Sequence, residues 1–239
     1  MLILAVDTSA DSLGLCLSRG EESVAQISIC TRDRSSRLLP QLADCLLKTA
    51  GVDVGDLDAV AAARGPGSFT GIRITCAFAA GLARGLDIPA VGVDSLAALA
   101  ASVSVPPGKL AVSALWARRG AFFAGAYRRA PRDKGFHWEP EIHITPGRRT
   151  PAQMMELLGD ESEETWWICD RYPDDDRDAQ PWAELVSGAS ISPAAVALLG
   201  YRALRRGTAG DPRSLTPRYH RASEVERKHT GGADDGRSR

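Results

Sequence analysis

The feature that most constrains the fold lies at the front of the chain. Leu2-Ile3-Leu4-Ala5-Val6 is an unbroken apolar run that ends at Asp7-Thr8-Ser9, and after it Leu13, Leu15 and Leu17 alternate with Gly14, Cys16 and Ser18. Short apolar runs and strict alternation are strand signals, so the chain opens as a hairpin of two strands with the Asp-Thr-Ser triplet at its turn. A third strand is expected over 23–29, where Val24, Ile27 and Ile29 carry β-favouring side chains.

Two helices and a strand then alternate. Ser35 or Ser36 can cap a helix that runs to about Ala50 and is closed by Gly51. Leu38, Leu39, Leu42, Ala43, Leu46 and Leu47 cover more than one stripe of it. Asp58 to Ala63 reads as a buried strand, and Ile72 to Leu86 as a second helix that is apolar nearly all round. In that helix Ala77, Ala79, Ala80, Gly81 and Ala83 would let another helix approach closely. A helix packed only on its own sheet needs one apolar face, so the surplus on both helices predicts a second packing partner.

Pro89 to Val93 is expected as a strand and Ser95 to Ser102 as a short helix, before Pro106-Pro107-Gly108 interrupts the pattern. That interruption is the expected boundary between a first lobe (1–105) and a second (106–226). In the second, 110–115, 121–127, 138–144 and 165–169 read as strands, and 151–158 and 192–206 as helices, the last capped by Ser192 and started by Pro193. Residues 227–239 hold no large apolar group and are expected to form a disordered tail. No internal repeat of fixed period stands out.

Composition excludes several classes. Hydrophobic residues make up 44% of the 239 residues, enough to bury a substantial core. With 29 Lys and Arg against 30 Asp and Glu, the chain lacks the field that would hold a polyanion by itself. Any nucleic-acid contact is therefore expected to be indirect, with Arg118, Arg119, Arg128, Arg129 and Arg132 read as a solvated face. The acidic stretches 160–164 and 174–178 are read as solvated loops in the same way. The five cysteines never take C-x-x-C spacing, which predicts neither a disulfide framework nor a zinc site and suits a reducing cytoplasm. The opening run is too short for the core of a signal peptide, and no charge-free run reaches membrane-spanning length.

Two segments invite a chemical reading. An Asp-Thr-Ser turn places a carboxylate beside converging amides, which suits a magnesium-bound phosphate, yet such a triplet is also an ordinary turn-former. Gly65-Pro66-Gly67-Ser68-Phe69-Thr70-Gly71 leads into the second helix, with Arg73 one turn in. It reads either as an anion loop at a helix N-terminus or as a structural turn whose glycines supply unusual dihedral angles. The Walker order and its lysine are absent.

Three strands, then helix, strand and helix, with the triplet at the first tight turn, resemble the start of the actin/Hsp70/sugar-kinase fold. The segment GPGSFTGIRI closely resembles the hallmark of the TsaB family, also called YeaZ. The resemblance extends to 3–9, Leu38-Leu39-Pro40, Gly81-Leu82-Ala83, Pro89 through Leu96, and Pro217-Arg218-Tyr219-His220-Arg221, which looks like the family's closing segment. It is strong over residues 1 to about 100 and weak in the second lobe. The family usually has His-Ser-Glu where this chain has Arg34-Ser35-Ser36, and Asp-Ala-Arg where it has Trp116-Ala117-Arg118.

The resemblance implies an α/β, two-lobed actin-like (ASKHA, RNase H-like) fold with mixed sheets flanked by helices. It also implies a cytoplasmic, non-catalytic scaffold that binds a TsaD-like protein and, through it, a TsaE-like ATPase. The modification concerned is threonylcarbamoyladenosine in tRNA, beside the anticodon. ATP and metal are then expected on the partner subunits and none on this chain, which can pair with itself when alone. The partner-facing candidates are Leu38, Leu39, Leu42, Leu46, Ile72, Ala79 and Leu82. A catalytic role has less support: His137, His143, His220 and His229 never take the H-x-x-x-H spacing of TsaD-type enzymes. The alternative is an actin-fold, ATP-dependent phosphotransferase using Asp7, Thr8 and Ser9 with the loop from Gly65 to Gly71. A peptidase, a third reading, lacks a nucleophile and base.

Overall fold

The computed structural model describes residues 1–30, 35–117, 120–129, 138–172, 184–208 and 210–219. Two five-stranded sheets carry the fold. The first is built from β1 (Leu2–Asp7), β2 (Ser12–Arg19), β3 (Glu22–Cys30), β4 (Ala59–Ala63) and β5 (Ala90–Val93), in the order β3-β2-β1-β4-β5. The second is built from β6 (Leu110–Trp116), β7 (Phe122–Arg129), β8 (Pro140–Arg149), β9 (Thr165–Cys169) and β10 (Glu184–Ser187), in the order β10-β9-β6-β7-β8.

The two sheets repeat one topology. In each, three antiparallel strands are followed by two that join in parallel beside the first of the three. No sequence period accompanies this repeat, because what recurs is the pattern of burial and not the residues that meet it.

Alternation along the strands sets the layers. Leu2, Leu4 and Val6 of β1 face one side with Leu13, Leu15 and Leu17 of β2, and there they meet α1 (Ser35–Thr49) and α2 (Phe69–Leu86). Ile3, Ala5 and Cys16 face the other side, towards α3 (Ser95–Ala101) and α5 (Pro193–Arg205). The second sheet is divided in the same way. Ala111, Leu115, Tyr127 and Ile168 turn to α3 and α5, while Val112, Ala124, Trp167 and Cys169 turn to α4 (Pro151–Leu158). Every residue of β1 is buried, as expected for a central strand with helices on both faces.

The expected elements are present, with four differences. The strand expected over 138–144 runs from Pro140 to Arg149, with Trp138 outside it. The second helix begins at Phe69 and not at Ile72, because Ser68 caps it from inside the glycine-rich loop. The short edge strand β10 was not expected, its four residues being too few to show a period. The boundary expected at 105/106 separates the strands of the two sheets, but α5 packs against β1, β2 and β4. The last helix thus returns to the first sheet, while α3 packs against β6 and β7 of the second. The expected tail (227–239), Arg34, Arg118, Arg119, Arg132 and the acidic stretch 174–178 lie outside the described residues.

Trp116 ends β6 edge-on to Phe122, its ring centroid 5.1 Å away, and its backbone N–H donates to Asp170 Oδ1 at 2.8 Å. Of the basic cluster only Arg128 and Arg129 are described, and of these Arg129 departs from the expected solvated face. Arg128 pairs with Glu161 at 3.1 Å, and buried Arg129 donates to the Val105 carbonyl. No helix is long and apolar enough to cross a membrane among the described residues.

The central position of β1 makes a direct test. Leu4→Ala should cost about 3 kcal/mol in urea unfolding, since Leu4 is fully enclosed, whereas Val24→Ser on the exposed edge strand should stay within about 0.5 kcal/mol.

Candidate functional site

The hairpin turn Asp7–Ser9 and the glycine-rich loop before α2 form one interlocked unit. The Ser68 hydroxyl accepts the Gly71 N–H at 3.3 Å and starts the helix, and the Ser68 N–H donates to the Ser9 carbonyl at 2.7 Å. The backbones are in direct contact here. A Cβ on Gly71 would run into the Thr8 carbonyl oxygen and one on Gly67 into the Ser9 carbonyl oxygen, so neither position accepts a side chain.

Side chains complete the seam. The Thr8 N–H donates to Thr75 Oγ1 at 2.9 Å, and the Thr8 hydroxyl donates to the Gly71 carbonyl at 2.7 Å. The Thr8 hydroxyl has then used its one proton, so the 2.7 Å contact between the two threonine hydroxyls is a bond that Thr75 donates. Upstream, Gly65 and Ser95 exchange bonds of 3.0 Å, Gly65 N–H to Ser95 Oγ and Ser95 N–H to the Gly65 carbonyl. The C-terminal segment 210–219 closes over the loop. Gly210 bridges to Ala90, and the Arg218 N–H donates to the Arg64 carbonyl at 2.7 Å.

Asp7 is enclosed at the centre. Its Oδ1 accepts the Ser9 N–H at 2.9 Å and the Ser9 hydroxyl at 2.5 Å, while its Oδ2 is buried without a partner among the described residues. Burial pushes its carboxyl up to about 6, against the pull of the two Ser9 bonds. A magnesium-phosphate group does not fit this arrangement. Asp7, Thr8 and Ser9 are at most 2% exposed, and the Thr8, Ser9, Ser68 and Gly71 amides all donate within the unit. In the loop itself, the Gly65, Ser68 and Gly71 amides are engaged as in a structural turn.

Gly65, Pro66 and Gly71 are buried, whereas Ser68, Phe69, Thr70 and Arg73 are exposed. The Arg73 guanidinium carbon lies 3.8 Å from the centroid of the Phe69 ring, and its Nε donates to the Tyr219 hydroxyl at 2.8 Å.

The partner-facing candidates divide. Leu39, Leu46, Ile72 and Ala79 are between 0 and 2% exposed and belong to the chain's own core, which corrects their assignment to a partner surface. Apolar spacing identifies which residues seek burial, but not which of two apolar faces the chain's own sheet covers. Leu38, Leu42 and Leu82 remain half-buried at the edge of that core.

The open apolar surface lies further round α2. Val54, Ala77, Phe78, Gly81, Leu82, Gly85 and Leu86 line a shallow groove of about 470 Å³. Val54, Phe78, Gly85 and Leu86 were missed from the sequence. The available signal was the row Ala77, Gly81, Gly85 at i+4 spacing beside Phe78, Leu82 and Leu86 one residue on.

Comparisons with known proteins bear on this geometry. A family model described as TsaD, tRNA N6-adenosine threonylcarbamoyltransferase, matches residues 28–134. The tRNA threonylcarbamoyladenosine biosynthesis protein TsaB of Escherichia coli K12 is 36% identical over 142 residues, covering 59% of this chain and 60% of that protein. The protein of the same name from Bacillus subtilis 168 is 38% identical over 130 residues, covering 54% and 56%. The matches thus span about three fifths of these relatives' length. In structure, YeaZ from Pseudomonas aeruginosa superposes with a TM-score of 0.77 at 26% identity, covering 91% of this chain and 99% of that one. The actin-like fold with two mixed sheets flanked by helices is shared with YeaZ.

The enclosed carboxyl makes stability depend on pH. The raised Asp7 value means that the folded state binds this proton more tightly than the unfolded chain, so this group's contribution falls as pH rises from about 4 to about 6. Asp7→Asn should therefore stabilise the protein at pH 7.5 by up to about 3 kcal/mol and give little gain at pH 4, read by urea unfolding at both pH values. Gly71→Ala should instead destabilise by more than about 2 kcal/mol at either pH.

Proposed function

We propose, for a chain that belongs to the TsaB (YeaZ) family, that it is a non-catalytic subunit in the formation of threonylcarbamoyladenosine in tRNA. In this reading it acts in the cytoplasm as the docking partner of a TsaD-like transferase. A TsaE-like ATPase joins through the complex, and tRNA is held mainly by the partner. ATP and metal are supplied by the partner subunits.

The observation that carries the reading is the outer face of α2. Two ridges run along it at i+4 spacing. One is small and exposed, Ala77, Gly81 and Gly85, and the other is apolar and half-buried, Ile74, Phe78, Leu82 and Leu86. A ridge of small residues beside a ridge of large ones is the receptor that a second helix needs, since ridges of one helix pack into grooves of the other. The glycines have no use within the monomer. Nothing lies within 4 Å of a Cβ built on Gly81 or Gly85, and a glycine inside a helix costs about 1 kcal/mol relative to alanine. A chain that keeps both where its own fold has room for side chains is shaped for a close approach from outside.

The phosphotransferase alternative draws no support from this geometry, because the carboxylate it needs is enclosed and its amides are engaged.

Gly81→Leu separates docking from folding. Leucine favours the helix and its Cβ meets nothing in the chain, so thermal stability should be unchanged or higher. Size-exclusion chromatography with light scattering should show a mixed complex between the wild-type chain and the TsaD-like protein of the same organism, and none with Gly81→Leu. An unchanged complex with a correctly folded variant would remove the groove from the interface. Separate elution of the two wild-type proteins would remove the proposed partner.

A further inference from the structure

The small ridge of α2 does not begin at Ala77. Traced back by the same i+4 step it reads Phe69, Arg73, Ala77, Gly81, Gly85, and all five residues are exposed. The groove thus has a cation in line with it, one turn from its first small residue. That cation is held in position. Its guanidinium lies flat enough on Phe69 to sit 3.8 Å from the ring centroid, and its Nε is tied to the Tyr219 hydroxyl at 2.8 Å. Phe69 and Tyr219 support each other, with ring centroids 5.2 Å apart. Among the described residues Arg73 has no carboxylate partner.

We propose that Arg73 is the anchor that sets the register of the docked helix, taking a carboxylate of the TsaD-like partner at the Phe69 end of the groove. This rests on the docking reading above. Tyr219 is a positioning residue: it occupies Nε and leaves the two terminal nitrogens, the pair that matches a carboxylate with two parallel bonds. The apolar groove alone would allow a helix to slide by a turn or to enter in the reverse direction. One charged bond at one end removes that freedom, because a misplaced helix leaves the partner's carboxylate unpaired beside an apolar surface. The nearly balanced charge of the chain favours a protein carboxylate over a nucleic-acid phosphate as the occupant, since a phosphate-tracking surface needs several cations and Arg73 lies at the end of an apolar face.

The test measures the dissociation constant for the TsaD-like protein of the same organism at low and high salt, for the wild-type chain, Arg73→Ala, Arg73→Lys, Tyr219→Phe and Gly81→Leu. Thermal unfolding verifies that each variant is folded. The expected result is an affinity about tenfold or more weaker for Arg73→Ala with a flattened salt dependence, partial recovery with lysine, and a smaller loss for Tyr219→Phe. If Arg73→Ala binds as the wild type does with the same salt dependence, while Gly81→Leu is deficient, the anchor is overturned and groove docking stands. If the wild-type chain does not bind, both fall. If Arg73→Ala weakens only self-association of the chain, the carboxylate belongs to a second copy and the proposal is overturned.

Discussion

The contact on which the rest of the structure depends is backbone against backbone. The first turn of α2 rests on the Asp7–Ser9 hairpin so closely that the Thr8 and Ser9 carbonyls occupy the space where side chains of residues 71 and 67 would be. Hydrogen bonds in both directions hold this seam, from Ser68 N–H to the Ser9 carbonyl and from the Thr8 hydroxyl to the Gly71 carbonyl. Because β1 is the central strand of its sheet, fixing α2 to the end of β1 fixes the helix to the stiffest part of the lobe.

The orientation of α2 follows from that seam. With Gly71 and Thr75 pressed on the hairpin, Cys76, Ala79 and Ala83 turn into the core shared with Leu4, Leu15 and Val60. The opposite ridge is thereby directed outward. The C-terminal segment then fastens the same loop from the other side, through the Arg218 N–H to the Arg64 carbonyl and through Tyr219 to Arg73. The residues that resemble a phosphate loop therefore act on the position of a helix, and the Thr8, Ser9, Ser68 and Gly71 amides are engaged in doing so.

Much of this was legible in the chain. The run Leu2–Val6 and the alternation Leu13, Leu15, Leu17 locate β1 and β2. Three things were not legible, each for a physical reason. Burial of Leu39, Leu46, Ile72 and Ala79 depends on which of two apolar faces meets the sheet, and that is decided by the seam and not by helical period. The return of α5 to the first sheet is a long-range pairing that local pattern does not encode. The enclosure of Asp7 arises from segments about 60 residues apart in the chain, Thr8 with Gly71 and Thr75, and a turn triplet read alone cannot reveal it.

The glycines of α2 and its loop show how the surroundings decide what one residue type is for. At Gly67 and Gly71 a Cβ would meet a carbonyl oxygen of the same chain, so these glycines are required by the fold whatever binds outside. At Gly81 and Gly85 a Cβ would meet nothing, so the fold does not require them, and each weakens an isolated helix. Both pairs belong to one eighteen-residue helix and the loop that starts it, and spacing along the chain does not distinguish them. Their surroundings do: the first pair seats the helix on the hairpin, and the second leaves the far ridge of the helix low, on the surface that the proposed docking would use. Under the proposed docking, a helix seated firmly at one end and left low along its outer face would be preformed for its partner, which limits the ordering that association must still bring about.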